Sequence, residues 1–79
     1  MQLSTAIRQR IVNLCIERNI SLNQLSKAAG ISYSTLSSFL NGQSQDPQIS
    51  TILHLCEGLN IQLYEFFQDD LFLDAIFEK

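Results

Sequence analysis

The sequence predicts an all-α protein, with one five-helix domain over residues 1–67 and a short helical extension over residues 68–79. Apolar residues recur at helical spacing, whereas no strand-like alternation persists. Serine, asparagine and glycine residues that favour helix starts and helix ends separate the apolar stretches. Hydrophobic residues make up 46% of the 79-residue chain, which is enough for a packed core and argues against disorder.

Helix one is predicted over about residues 5–18, with one apolar face formed by Ile7, Ile11, Leu14 and Cys15. Asn19 is a suitable stop. The next two helices are predicted over residues 22–28 and 33–40. The residues that would begin or end these two helices are Ser21, Gly30, Ser32 and Gly42. Ser21 and Gln24 have the spacing of a capping box. Two short helices joined by a glycine turn form a helix-turn-helix unit, whose second helix can enter the major groove of DNA.

The fourth and fifth helices follow a polar loop that ends at Pro47. Helix four is predicted over about residues 49–59 and carries a wide apolar stripe, which favours a position at the centre of the core. The residues of this stripe are Ile49, Ile52, Leu53, Leu55, Cys56 and Leu59. Asn60 can end this helix in the left-handed conformation. Helix five should begin near Leu63, with Phe66 and Phe67 facing inward.

Several classes of protein are disfavoured by what the chain lacks. No apolar run approaches the roughly 18 residues of a membrane span, and the first residues do not resemble a signal peptide. Cys15 and Cys56 have no partners at metal-ligand spacing, so we expect reduced core thiols, a cytoplasmic protein, and no metal or cofactor. His54 is expected on the surface. No catalytic arrangement or phosphate-binding glycine loop is visible, so the sequence predicts no enzyme and no small-molecule ligand.

The charges are divided unevenly along the chain, although the net charge is −3. Residues 1–45 carry four basic residues and one acidic residue, whereas residues 46–79 carry one basic and seven acidic residues. The half that holds the helix-turn-helix is therefore the basic half, as an electrostatic attraction to DNA requires. The alternative is that these charges simply solvate helix surfaces.

These elements, in this order, resemble the Cro/C1-type helix-turn-helix domains of phage repressors and the related Xre-type regulators. The segments that carry the resemblance are AIRQRI, ISLNQLSKAAGIS, STLSSFLNG, Pro47 and ISTILHLCEGLNIQLYEFF, within about residues 3–67. The resemblance implies a lambda-repressor-like five-helix DNA-binding fold. Two positions depart from the family pattern: Leu22 stands where many members have a phosphate-binding glutamine, and the loop before Pro47 is GQSQD rather than basic. Both departures predict weaker DNA binding by one monomer.

The outer face of helix three is the predicted base-reading surface, and the resemblance implies the same positions. Its residues are Tyr33, Ser34, Ser37 and Ser38. They lie opposite Leu36 and Phe39 on the helix, and their short or polar side chains can approach base edges. The alternative is that the serines only solvate this face.

Phosphate contacts form a second class, which positions a protein without reading sequence. The predicted residues are Asn41, Thr35, Gln43 and Ser44. Asn41 could instead act only as a helix C-cap. Arg8, Arg10 and Arg18 could also lie near the DNA backbone, but the sequence does not decide which face of helix one they occupy.

The extension combines large apolar side chains with acidic residues. The apolar ones are Leu71, Phe72, Leu73, Ile76 and Phe77, and they are predicted to form a homodimer contact. In lambda-type repressor heads the last helix pairs with its mate, and the resemblance implies this role here. Packing within the monomer is the alternative. The sequence thus predicts a dimeric, sequence-specific regulator that binds double-stranded DNA. The alternative function is a protein-interaction module on the same scaffold, such as a phage or toxin–antitoxin subunit.

Overall fold

The computed structural model describes residues 2–42 and 47–77, together with the side chains of the last helix through Leu73. Six helices occur in these residues: α1 (Leu3–Arg18), α2 (Leu22–Ala29), α3 (Tyr33–Leu40), α4 (Ile49–Leu59), α5 (Leu63–Phe67) and α6 (Asp70–Phe77). The all-α prediction is confirmed, and α3 and α4 have the predicted bounds. The extension is helical through α6, and α1 begins two residues earlier than predicted.

Local capping explains where α2 begins. The Ser21 hydroxyl accepts a hydrogen bond from the Gln24 amide at 3.1 Å, and the Gln24 side-chain oxygen accepts one from the Ser21 amide at 2.8 Å. This reciprocal pair is the capping box that the sequence predicted. Gly30 ends the helix at a φ of 73°, and the Ile31 amide then donates to the Ser26 carbonyl at 3.0 Å. Such a positive φ favours glycine, because a Cβ atom would be strained there.

Two asparagines end the longer helices in the same left-handed conformation. Asn19 follows α1 at a φ of 55° and Asn60 follows α4 at 58°. Asparagine tolerates this region better than most residues with a side chain. Both predicted helix stops are therefore confirmed, and each reverses the chain so that the following helix packs back on the core.

The core draws residues from all six helices. Its largest fully buried side chains include Ile11, Leu25, Leu36, Leu55, Leu59 and Phe66. The predicted width of the apolar stripe on α4 was wrong, since Ile49 is 62% exposed and Leu53 is 47% exposed. Each lies three positions before a buried residue, Ile52 or Cys56, and therefore stands at the edge of the buried stripe. A domain of this size has too few elements to enclose a helix on every side.

Gly58 brings α4 against the helix-turn-helix. A Cβ atom at this position would lie 2.9 Å from the amide nitrogen of Ala29 and 3.1 Å from the carbonyl carbon of Ala28. The backbones of α2 and α4 are therefore in close contact at a point where only a hydrogen fits. This contact sets how α2, and the α3 that follows it, sit on the rest of the domain.

The two cysteines are buried and free in the core. Burial raises the pKa of the Cys15 thiol. Burial also raises the pKa of Cys56, an effect that Arg10 opposes and Glu65 reinforces. Both thiols therefore stay protonated and unreactive near neutral pH, as expected for core residues.

Candidate nucleic-acid interface

The predicted base contacts share the outer side of α3. Tyr33, at the first position of the helix, is 49% exposed, and Ser34 is exposed. Ser37 and Ser38 are half-buried, while Leu36 and Phe39 anchor the opposite side in the core. The hydrophobic spacing of α3 thus presents a row of hydroxyl groups, with an aromatic ring at the helix N-terminus. Such a surface can form hydrogen bonds with base edges and contact a thymine methyl group.

The hydroxyl groups at the start of α3 are linked to one another. Ser32, the N-cap, accepts a hydrogen bond from the Thr35 amide at 3.1 Å and donates one to the Thr35 hydroxyl at 2.7 Å. Its oxygen also lies 3.4 Å from the Ser34 hydroxyl. Sequence reasoning recognised Ser32 as a cap but missed its bond to the Thr35 side chain. The signal available was a serine followed three residues later by another hydroxyl residue.

Asn41 lies at the other end of α3 and is exposed. Its backbone amide donates to the Ser37 carbonyl at 2.9 Å, and its side-chain amide donates to the Ser37 hydroxyl at 3.4 Å. Asn41 thus occupies the C-cap position, while the rest of its side-chain hydrogen-bonding capacity faces outward. The predicted phosphate contacts Gln43 and Ser44 lie outside the described residues.

Two of the three arginines of α1 bind carbonyl oxygens at helix C-termini. Arg10 donates to the carbonyls of Phe66 and Glu65 at 2.7 and 2.8 Å and pairs with Asp69 at 3.2 Å. Arg18 donates to the Leu59 carbonyl at the end of α4. A cation at a helix C-terminus also interacts favourably with the negative end of the helix dipole. Both arginines follow a buried residue of α1 by three or four positions, a signal that places them beside the core.

Arg8 is placed differently. Its guanidinium carbon lies 5.7 Å from the ring centroid of Phe39 in α3, within the range of a cation–π contact. It also donates to the Thr5 hydroxyl at 3.2 Å. Phe39 belongs to the last turn of α3, and its carbonyl accepts from the Gly42 amide at 3.0 Å. The structure therefore brings one arginine of α1 beside the last turn of α3.

The residues predicted for dimerisation differ in their placement. Phe72 is 3% exposed, and its ring packs on Phe67 with centroids 5.0 Å apart and on Phe66 at 6.2 Å. Phe72 thus belongs to the core of its own domain, which was the alternative for this residue. Leu71 is half-buried, whereas Leu73 is 55% exposed. Ile76 and Phe77 lie within α6, but their side chains are outside the described part.

His54 lies on the exposed side of α4, where its Nδ1 atom is 3.2 Å from a carboxylate oxygen of Glu57. In the described ranges no three His, Cys, Asp or Glu residues are grouped closely enough to hold a metal ion. No described helix is both long and apolar enough to cross a bilayer.

A family model described as the Cro/C1-type helix-turn-helix DNA-binding domain matches residues 10–70 of the chain. The matched range includes α2, α3, α4 and α5 in full, together with most of α1. Neither a curated protein nor a solved structure matches the chain at a significant level.

Proposed function

The chain belongs to the Cro/C1-type helix-turn-helix DNA-binding family and is a DNA-binding transcriptional regulator, and we propose that it reads duplex DNA through α3. The observation that carries this proposal is the row of exposed and half-buried hydroxyl residues on the side of α3 opposite its core anchors. Tyr33, Ser34, Ser37 and Ser38 are the base contacts in this proposal. The N-terminal part of a recognition helix is where major-groove readers contact bases.

Phosphate contacts flank this row at both ends of α3. Thr35 supplies a hydroxyl at the start of the helix, and Asn41 supplies an amide at its end, with Gln43 and Ser44 following in the chain. Arg8 joins this group because its guanidinium lies beside the last turn of α3. Few cations then face the DNA, so binding depends more on hydrogen bonds and less on counterion release than in strongly basic repressors.

The proposed active form is a homodimer on a two-fold site. Two recognition helices must lie about 34 Å apart to read half-sites one DNA turn apart. The proposed contact is made by α6, where Leu73 is exposed and Leu71 is half-buried, with Ile76 and Phe77 one turn further along the helix. Phe72 contributes indirectly, because its burial holds α6 on its own domain.

The second candidate is a protein-interaction module that uses the acidic C-terminal half. The exposed apolar residues Ile49 and Leu53 on α4 favour it, since a second protein could cover them. The two functions differ in which surface is essential. Substitutions on α3 should weaken sequence-specific DNA binding, whereas substitutions of Ile49 and Leu53 on α4 should weaken the binding of a protein partner.

Selection of bound duplexes from a random DNA pool tests the proposal. The wild-type chain should enrich one motif with two-fold symmetry, and the Ser34→Ala, Ser38→Ala double variant should relax it, because each lost base contact costs about 1–3 kcal/mol. Ser50→Ala, an exposed serine at the start of α4, is the matched control and should keep the motif. Absence of any enriched motif, or an unchanged motif in the double variant, would contradict reading by α3.

A further inference from the structure

The two serine caps of the helix-turn-helix use their hydroxyl groups differently. In α2 the third residue after the cap is Gln24, whose side-chain oxygen returns to the Ser21 backbone amide at 2.8 Å. In α3 the corresponding residue is Thr35, and the Ser32 hydroxyl donates to the Thr35 oxygen at 2.7 Å. The first arrangement joins a side chain to the backbone of its own helix. The second joins two hydroxyl groups on the proposed DNA side.

A hydroxyl group has one proton to donate and two lone pairs that accept. The Ser32 oxygen accepts from the Thr35 amide at 3.1 Å, so one lone pair serves the helix cap. Its single proton is directed to the Thr35 oxygen. The proton of Thr35 therefore cannot occupy that same bond and is available to a different acceptor.

We propose that Ser32 is a positioning residue for DNA binding, because it turns the Thr35 hydroxyl into an outward-facing donor for a phosphate oxygen. Phosphate oxygens only accept hydrogen bonds, so a hydroxyl helps them only when its proton points toward the DNA. Thr35 is exposed at the positive N-terminus of α3, where an anion is also favoured by the helix dipole. This inference rests on the proposed function, since it assigns a partner to Thr35 within the α3 surface.

A double-mutant cycle between Ser32→Gly and Thr35→Val tests this coupling. Glycine is a tolerable N-cap that is only slightly less favourable than serine, so Ser32→Gly removes the hydroxyl while keeping the helix start. Thr35→Val removes the Thr35 hydroxyl and keeps the side-chain shape. The probe is a labelled duplex of mixed sequence at low salt, because phosphate contacts do not depend on base sequence. Affinity is read by fluorescence anisotropy and folding by thermal unfolding.

We expect each single variant to weaken DNA binding by about three- to tenfold, the effect of one hydrogen bond. In the Thr35→Val background, Ser32→Gly should cause no further loss, whereas its small effect on the melting temperature should persist. Thr35→Ser, which restores a hydroxyl, should restore the sensitivity to Ser32→Gly. Ser21→Gly is the matched control, and its effect on affinity should be the same in both backgrounds.

Equal losses from Ser32→Gly in both backgrounds would overturn the proposal and leave Ser32 as a helix cap alone. An unchanged affinity of Thr35→Val would also overturn it. Failure of the wild-type chain to bind any duplex is a separate result, because it contradicts the proposed function itself. The two failures are therefore distinguishable before any variant is compared.

Discussion

The start of the helix-turn-helix and the junction of α1, α5 and α6 are stabilised in opposite ways. Ser21 with Gln24 and Ser32 with Thr35 are bonds between residues three positions apart. Arg10, in contrast, reaches the carbonyls of Glu65 and Phe66, which lie 55 and 56 positions away in sequence. The first region can form its bonds as each helix forms, whereas the second requires the whole domain to be assembled.

The same contrast separates the chemistry of the two regions. The helix-turn-helix presents hydroxyl and amide groups that can still bind a ligand. At the junction, the guanidinium of Arg10 has three hydrogen-bond acceptors, and the three rings of Phe66, Phe67 and Phe72 pack together beside it. Polar groups in the second region therefore serve stability, whereas the first region also holds the polar groups that we propose for recognition.

Among the substitutions that test this difference between the two regions, Phe72→Ala is expected to have the largest effect on stability. Truncation of a buried phenylalanine costs about 3–5 kcal/mol, so the free energy of unfolding should fall by this amount in chemical denaturation. Leu73→Ala is the matched control one residue along the chain. Because Leu73 is 55% exposed, this change should leave the stability of the monomer within about 0.5 kcal/mol, as measured at protein concentrations too low for the proposed dimer to form.

Light scattering on the same two variants tests the proposed dimer. Leu73→Ala should shift the wild-type dimer towards monomer without unfolding it. A monomeric wild type at micromolar concentration would contradict dimerisation through α6. A Phe72→Ala variant as stable as the wild type would instead contradict the assignment of this ring to the core.

Arg10→Gln should have the next largest effect. The change removes charged donors from two backbone carbonyls and from Asp69, and one hydrogen bond to a charged group is worth about 1.5–3 kcal/mol. We expect a loss of stability in this range, together with faster hydrogen exchange at the amides of α6. Asp69 directly precedes this helix, and its carboxylate accepts a hydrogen bond from the Leu71 amide at 3.0 Å. Asp69→Asn should show a smaller loss, since both carbonyl contacts of Arg10 remain.

Arg8→Gln is the matched substitution on the DNA side and should affect stability least. Its expected effect is on the salt dependence of DNA binding. Each phosphate neutralised by a cation contributes about −0.9 to the slope of log K, the logarithm of the DNA-binding constant, against log salt. The slope for Arg8→Gln should be shallower by about this amount, and the slope for folded Arg10→Gln should equal that of the wild type. Equal slopes for all three proteins would exclude Arg8 from the phosphate contacts.

The sequence by itself determined the helices and most of the candidate site, because these depend on neighbouring residues. The capping box at Ser21, the bounds of α3 and the left-handed residues Asn19 and Asn60 all follow from interactions within a few positions. The exposed side of α3 follows from the helical repeat, which separates Ser34 from the buried Leu36.

The tertiary structure alone decided which of several similar residues faces which neighbour. It assigned Arg10 and Arg18 to helix ends and Arg8 to the flank of α3. It buried Phe72 and exposed Leu73, the next residue in the chain. It also exposed Ile49 and Leu53 on α4, a helix whose sequence has apolar residues on most of its sides. The physical reason is that burial, and hydrogen bonds between residues far apart in sequence, depend on how distant helices pack together. No local pattern of residues specifies this packing.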